Sequence, residues 1–336
     1  MFLRLFSASL VVLALCGGAI AKPLVGNSGA VPFTLAAEPI EHFRKGEATA
    51  RFGALEFLGG LVLRADNANF GGISGLAVEP DGQGFLAVSD AGLWMSGRFV
   101  EKDGRLAGIE QAAVGPILGP LGQPLAAMER DDTESVGLRG GTAFVGVEGV
   151  NEIWSFPFSR DGMMARGQPV AVPAGIKLLP DNRGLEALTP APAGSALGDA
   201  LVAISERSGS DDEPTKGFIL GGPLSGEFLL QRKSPFDITD IAFLPGGDLL
   251  VLERRASFMG GFGMRLRRMA GASIRPGAVL DGPVLLEAGP ESEIDNMEAL
   301  GISRDEAGRT VITLMSDDNF SFLQRSLVLR FTLVEE

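Results

Sequence analysis

Tyrosine is missing from this 336-residue chain, while histidine and cysteine occur once each and tryptophan twice. Each shortage removes a chemistry. His42 sits in a polar stretch, so a serine triad with an imidazole base would rest on that one residue, which we read as a solvated surface side chain. A zinc centre of the histidine and cysteine type is excluded on the same ground. Cys16 is the only thiol and falls in the first 21 residues, leaving the remainder without disulfide, thiolate nucleophile or thiolate ligand. No glycine-rich phosphate loop stands in a strand–glycine–helix setting. Positive charge is also short: 29 Lys and Arg face 42 Asp and Glu, a net charge of −13. Nucleic acid and anionic membrane both repel such a chain.

Hydrophobic residues make up 45% of the chain, ample for a packed core. Glycine is abundant, with 47 residues spread along the chain beside 20 prolines. That composition, with almost no helical periodicity, suits many short strands joined by tight turns. The first 21 residues stand apart. Arg4, the apolar run 10–15 and Ala19-Ile20-Ala21 form a secretory signal with cleavage expected after Ala21. The run is too short for a membrane anchor, and Leu15 is too large for a lipoprotein site at Cys16. Export to the periplasm or the medium follows, with no membrane span after cleavage and a monomer as the working unit. Residues 22–52 read as an N-terminal extension and residues 53–336 as one domain.

That domain repeats itself. A polar or acidic residue followed at two and four positions by mostly apolar ones begins at Ser74, Glu134, Glu186, Asp240 and Glu298. Alternation at period two marks a strand. A second apolar strand then ends on an acid: residues 85–88 before Asp90, 143–147 before Glu148, 201–204 before Glu206, 249–252 before Glu253, and 311–315 before Asp317. Turn residues such as Pro80-Asp81-Gly82 and Pro245-Gly246-Gly247 link the two strands. Third and fourth strands follow, and copies recur about every 50 to 60 residues, the size of a four-stranded blade rather than a solenoid rung. The fold class expected is all-β: a single β-propeller of five blades, with room for a sixth, degenerate one within residues 23–65. Residues 55–63 supply the missing outer strand of the last copy and close the ring, because an open ring leaves bare sheet edges.

Innermost strands of a propeller face one axis, so equivalent acids from successive blades converge on the channel. Carboxylates that close repel one another by about 4 kcal/mol per pair at ~4 Å and an effective dielectric of 20. A hard cation with oxygen ligands, above all Ca²⁺, relieves that repulsion. Singly, each acid could equally cap a turn. Arg130, Arg183, Arg207, Arg254 and Arg255 run in step with the acids, either pairing with them or gripping an anionic ligand. Arg265, Arg267 and Arg268 read as a solvent-facing strand surface.

Seven short motifs in order resemble the phytase-like domain family, described by esterase-like activity and found in exported bacterial proteins. They are Phe70-Gly71-Gly72-Ile73-Ser74, Asp132-Thr133-Glu134-Ser135, Asn182-Arg183-Gly184-Leu185-Glu186, Ser205-Glu206-Arg207, Asp240-Ile241-Ala242-Phe243, Asp295-Asn296-Met297-Glu298 and Ser316-Asp317-Asp318-Asn319-Phe320. The resemblance implies a propeller and suggests hydrolysis of a small anionic ester or phosphoester with bound Ca²⁺. Under it, Glu134, Glu186, Asp240, Asp295 and Glu298 are the candidate metal ligands. Glu186, Arg183 and Arg207 are the candidate catalytic residues, the two arginines as phosphate contacts. Two other readings stand beside this one: a non-catalytic ligand- or protein-binding propeller of the cell envelope, and a lactonase-type hydrolase.

Overall fold

A computed structural model describes residues 29–210, 213–257 and 260–334; the segment expected to be a secretory signal, residues 1–21, lies outside the described residues. Five sheets, antiparallel but for one edge strand, follow one another along the chain. Their innermost strands are Ile73–Val78, Thr133–Arg139, Leu185–Pro190, Asp237–Phe243 and Asn296–Arg304, which open blades 1 to 5. Each inner strand lies beside the next, and the fifth returns to the first, so the ring closes as a five-bladed propeller. Buried on both faces, these strands read as nearly continuous small and apolar residues.

Second, third and fourth strands step outwards in each blade. In blade 1 they are Gly84–Ser89, Leu93–Lys102 and Arg105–Pro116, edged by Val31–Pro32. Blade 3 carries an extra parallel edge, Val279–Leu280 against Gly226–Leu230. The turns use the residues the sequence offers: in Pro80-Asp81-Gly82 the glycine takes φ 74°, and Asp81 Oδ1 accepts the Gln83 N–H at 3.0 Å.

Blade 5 closes the ring. Its strands Asn296–Arg304, Thr310–Asp317 and Ser326–Leu333 come from the end of the chain, and Leu55–Ala65 pairs antiparallel with the last of them. Leu35–Ile40 adds one more strand outside, so the segment before the repeats extends blade 5 instead of forming a sixth blade. Phe43, Phe52, Phe57 and Phe331 pack at the seam with ring centroids 5.0 to 5.7 Å apart. Hydrogen bonds and aromatic burial thus hold the seam without a covalent staple.

The core is five apolar layers, one between each pair of neighbouring blades. Leu250, Leu252 and Met264 of blade 4 meet Leu300, Leu314 and Leu329 of blade 5 in one such layer. Arg265 and Arg267, expected on a solvent face, are instead 6% and 0% exposed. Glu253, equally buried, accepts from Arg265 Nε at 2.6 Å and Arg267 Nη1 at 2.9 Å, so the charges satisfy one another.

Close approach at the axis depends on small residues. A Cβ on Gly75 would lie 2.8 Å from Ser135 Cα and 2.9 Å from Val136 N, and one on Gly137 2.3 Å from Pro190 Cδ. Backbone cannot yield cheaply to such contacts. We expect Gly75→Ala to lower the unfolding free energy by about 1–3 kcal/mol in urea titrations. Gly108→Ala, on an outer strand with open space around the added carbon, should stay within about 0.5 kcal/mol of wild type.

Candidate functional site: the acid-lined mouth of the channel

The same irregularity occurs in all five inner strands. Each carries a β-bulge near its start, and the residue left out of the pairing is Ser74, Glu134, Glu186, Thr239 or Glu298. A bulge turns its extra side chain away from the ladder, here toward the channel mouth. Opposite each bulge the second strand carries Asp90, Glu148, Glu206, Arg254 or Asp317 at the equivalent position, the last place in that strand or just past it except in blade 4, where the strand runs on to Ser257. The first three donate their backbone N–H to Gly72, Asp132 and Gly184, two residues ahead of the bulge. Arg254 and Asp317 hold the same place by pairing with Asp237 and Asn296.

This register revises the repeat in blade 4. The equivalent of the acids is Thr239, and the strand-end equivalent is Arg254; Asp240 and Glu253 each lie one residue away. Hydroxyls behave consistently with that assignment. Ser74 Oγ donates to the Thr133 carbonyl of the next blade at 2.5 Å, and Thr239 Oγ1 to the Met297 carbonyl of its next blade at 3.3 Å. Blade 4 therefore gives the mouth a cation where its neighbours give carboxylates.

Three of the acids make the tightest group. One carboxylate oxygen each from Asp132, Glu134 and Glu148 lie within 4.8 Å of one another. Glu148 is oriented by the Gly184 N–H, 2.8 Å from its Oε1. Burial, then repulsion from Asp132, Glu206 and Glu298, pushes the Glu148 carboxyl up to about 7 against the pull of that N–H. Glu134 rises well above the usual carboxylate range through burial and then through Glu186, Asp132 and Glu298. Glu186 does so through burial, Glu206, Glu148 and Glu298, with Arg254 opposing. Oxygen donors this crowded, held by backbone and short of compensating cations, suit a hard cation.

Opposite them, Arg254 Nε sits 2.9 Å from Glu298 Oε1, and its Nη2 is 4.0 Å from Glu206. Asn296 Nδ2 donates to Glu298 at 2.8 Å and to Asp317 at 3.3 Å. Burial raises both of those carboxyls; Asp317 is pushed further by Glu298, while Arg254 and Asn296 pull Glu298 down.

Of the ligands expected from sequence, Glu134, Glu186 and Glu298 share the mouth. Asp240 lies below it, 2% exposed, with Oδ1 accepting the Ile241 N–H and Oδ2 the Leu300 N–H, each at 2.7 Å. The Leu76 N–H also reaches this carboxylate, so Asp240 ties blade 4 to blades 5 and 1. Asp295 stands one residue before Asn296 and accepts from Arg325, with its backbone N–H at 3.3 Å and Nε at 3.4 Å. Arg207 forms a two-pronged pair with Asp237, which Arg232 also holds. Those partners keep the Asp237 carboxyl below its usual value although burial alone would raise it. Arg183 is exposed at the rim, and its guanidinium has no ion pair among the described residues. Asp132, Glu148 and Arg254 were visible as residues of the chain, but only the strand register shows that Asp132 and Glu148 meet Glu134 and that Arg254 stands opposite, beside Glu298.

Fold and site together define a five-bladed propeller with an acid-lined channel mouth. Residues 68–320 match the Phytase-like family, described as esterase-like activity of phytase, and the chain belongs to that family. No curated protein matches it. Among solved structures, an α-L-arabinofuranosidase of Podospora anserina bound to cellotriose is similar at 13% identity and TM-score 0.47, over 77% of this chain and 91% of the other. The PQQ-bound aldose sugar dehydrogenase of Streptomyces coelicolor is similar at 15% identity and TM-score 0.42, over 84% and 99%. A chain of the nidogen/laminin complex gives 13% and 0.38, over 80% and 90%. Likenesses this distant carry no functional assignment.

Electrostatics of the mouth set two expectations. Carboxyls raised in the fold keep protons that the unfolded chain has released, so their contribution is full below the unfolded value near 4.5 and is lost as pH rises through about 7. With chelator present, the melting temperature should therefore fall between pH 5 and pH 8, and added Ca²⁺ should restore more of it at pH 8 than at pH 5. Removing the cation exposes the same repulsion: Arg254→Gln should cost about 3 kcal/mol in urea unfolding at pH 7.5 and distinctly less at pH 5.

Proposed function

We propose that this chain is an exported hydrolase of small phosphate or carboxylic esters that works at the acid-lined mouth with Ca²⁺ as its cation. The observation that carries this reading is the convergence of Asp132, Glu134 and Glu148 on one point in a member of an esterase-like family. Those three carboxylates would hold the ion, with Glu186 beside them. Bound there, Ca²⁺ supplies positive charge to the ester or phosphoryl oxygen and makes a neighbouring water more acidic.

The remaining work belongs to side chains. Glu186, buried among other acids that raise its proton affinity, is the candidate acid–base group: in its carboxylate form it would take a proton from water and return it to the leaving oxygen. Arg183, open at the rim, can grip the anionic end of a substrate through its guanidinium fork. Arg207 is committed to Asp237 and acts by positioning that carboxylate next to Glu206. An acidic mouth around a bound cation favours small anions that reach the ion and repels long polyanions.

Calorimetry and a chromogenic ester pair test the reading. Wild type should bind Ca²⁺, and Glu134→Gln should weaken that binding by about tenfold or more, the cost of one charged ligand. Asp240→Asn should leave Ca²⁺ affinity unchanged while lowering stability by about 1–3 kcal/mol, because its oxygens serve backbone donors. Turnover of p-nitrophenyl phosphate or acetate should disappear with chelator and in Glu186→Gln. Turnover indifferent to chelator would refute the calcium-assisted mechanism, and Ca²⁺ binding without turnover would favour the ligand-binding propeller instead.

A further inference from the structure

The channel has a second mouth. Beyond Asp240 the inner strands diverge into a cup of about 390 Å³. Its floor is formed by Leu76, Val136, Ile241 and Leu300, and two of these, Leu76 and Leu300, donate the N–H groups that hold Asp240. The floor thus separates the cup from the acids: polar ties above it, apolar side chains below. Recessed, mainly apolar cavities with a few polar groups at the edge, in the range of roughly 300–1,000 Å³, are the usual form of small-molecule sites.

Charge at the cup departs from that of the whole chain. Among the described residues its only charged lining side chains are Arg139 and Arg304, although acids outnumber bases by 42 to 29 overall. Among the described residues neither arginine is paired with a carboxylate. Arg139 Nη1 donates to the Asp199 and Ala200 carbonyls at 2.7 and 3.1 Å, and Arg304 Nη1 to the Gly308 carbonyl at 2.9 Å. Both guanidiniums are therefore held by backbone carbonyls, Arg139 also lying over the Phe144 ring at 5.3 Å, and neither spends all five of its N–H donors on those carbonyls.

We infer that this cup binds a single-chain amphiphilic carboxylate, its alkyl chain on the apolar lining and its head group at the rim that carries Arg139 and Arg304. A neutral apolar molecule would leave the two cations unanswered. The narrow volume favours one chain over a two-chain lipid. The inference is independent of whether the acid mouth hydrolyses anything.

Titration calorimetry of the full chain with sodium decanoate, below its micellar concentration, tests it. Decanoate should bind saturably at one site, decanol at least about tenfold more weakly, and Arg139→Gln/Arg304→Gln should lose a similar factor for decanoate. Arg304→Gln alone changes an exposed side chain and should fold normally while weakening binding in the same direction. Glu134→Gln, at the opposite mouth, should leave decanoate binding unchanged. Absence of saturation, equal affinity for decanol, equal affinity in the double variant, or sensitivity to Glu134→Gln would each overturn the assignment.

Discussion

Five inner strands meeting at one axis is the constraint from which the rest follows. Five strands can approach that closely only where the side chains between neighbouring inner strands are small, as at Gly75, Ser135, Ala187 and Ala299. Asp240 is the exception at this level, and it is tolerated because its carboxylate replaces the missing contacts with hydrogen bonds to neighbouring strands. The tie closes the channel into two blind ends. One end is polar and acidic, the other apolar with arginines at its edge.

Convergence has an electrostatic consequence. Glu134, Glu186 and Glu298 come from blades 2, 3 and 5, and the bulges turn all three toward the same space. Folding brings together groups that the unfolded chain keeps far apart, so burial and mutual repulsion raise their affinity for protons. Protons, Arg254 and a bound cation are alternative ways of relieving the same repulsion.

Much of the fold was readable because it is repetitive. Period-two alternation, the turn residues after each inner strand and the spacing of copies give five blades, and residues 55–63 as the closing strand follow from the need to cover an edge. Blade 4 shows where such reading stops. Asp240 and Glu253 have the expected residue type, yet the bulge places Thr239 and Arg254 at the equivalent positions. A one-residue offset reverses which face a strand residue occupies, and residue type alone does not reveal it. Arg265 and Arg267 were misread for a related reason: alternating arginines normally face water, and only Glu253, from the adjacent strand, makes their burial tolerable. Asp132 and Glu148 needed the fold itself, since strand pairing sets the distance between a strand start and the following strand end.

Crystals grown with calcium would test the central claim most directly, through an anomalous difference map collected at long wavelength. The account predicts a peak at the channel mouth with oxygens of Asp132, Glu134 and Glu148 at roughly 2.3–2.6 Å. A mouth without such a peak, its carboxylates turned apart or paired only with arginines, would contradict it.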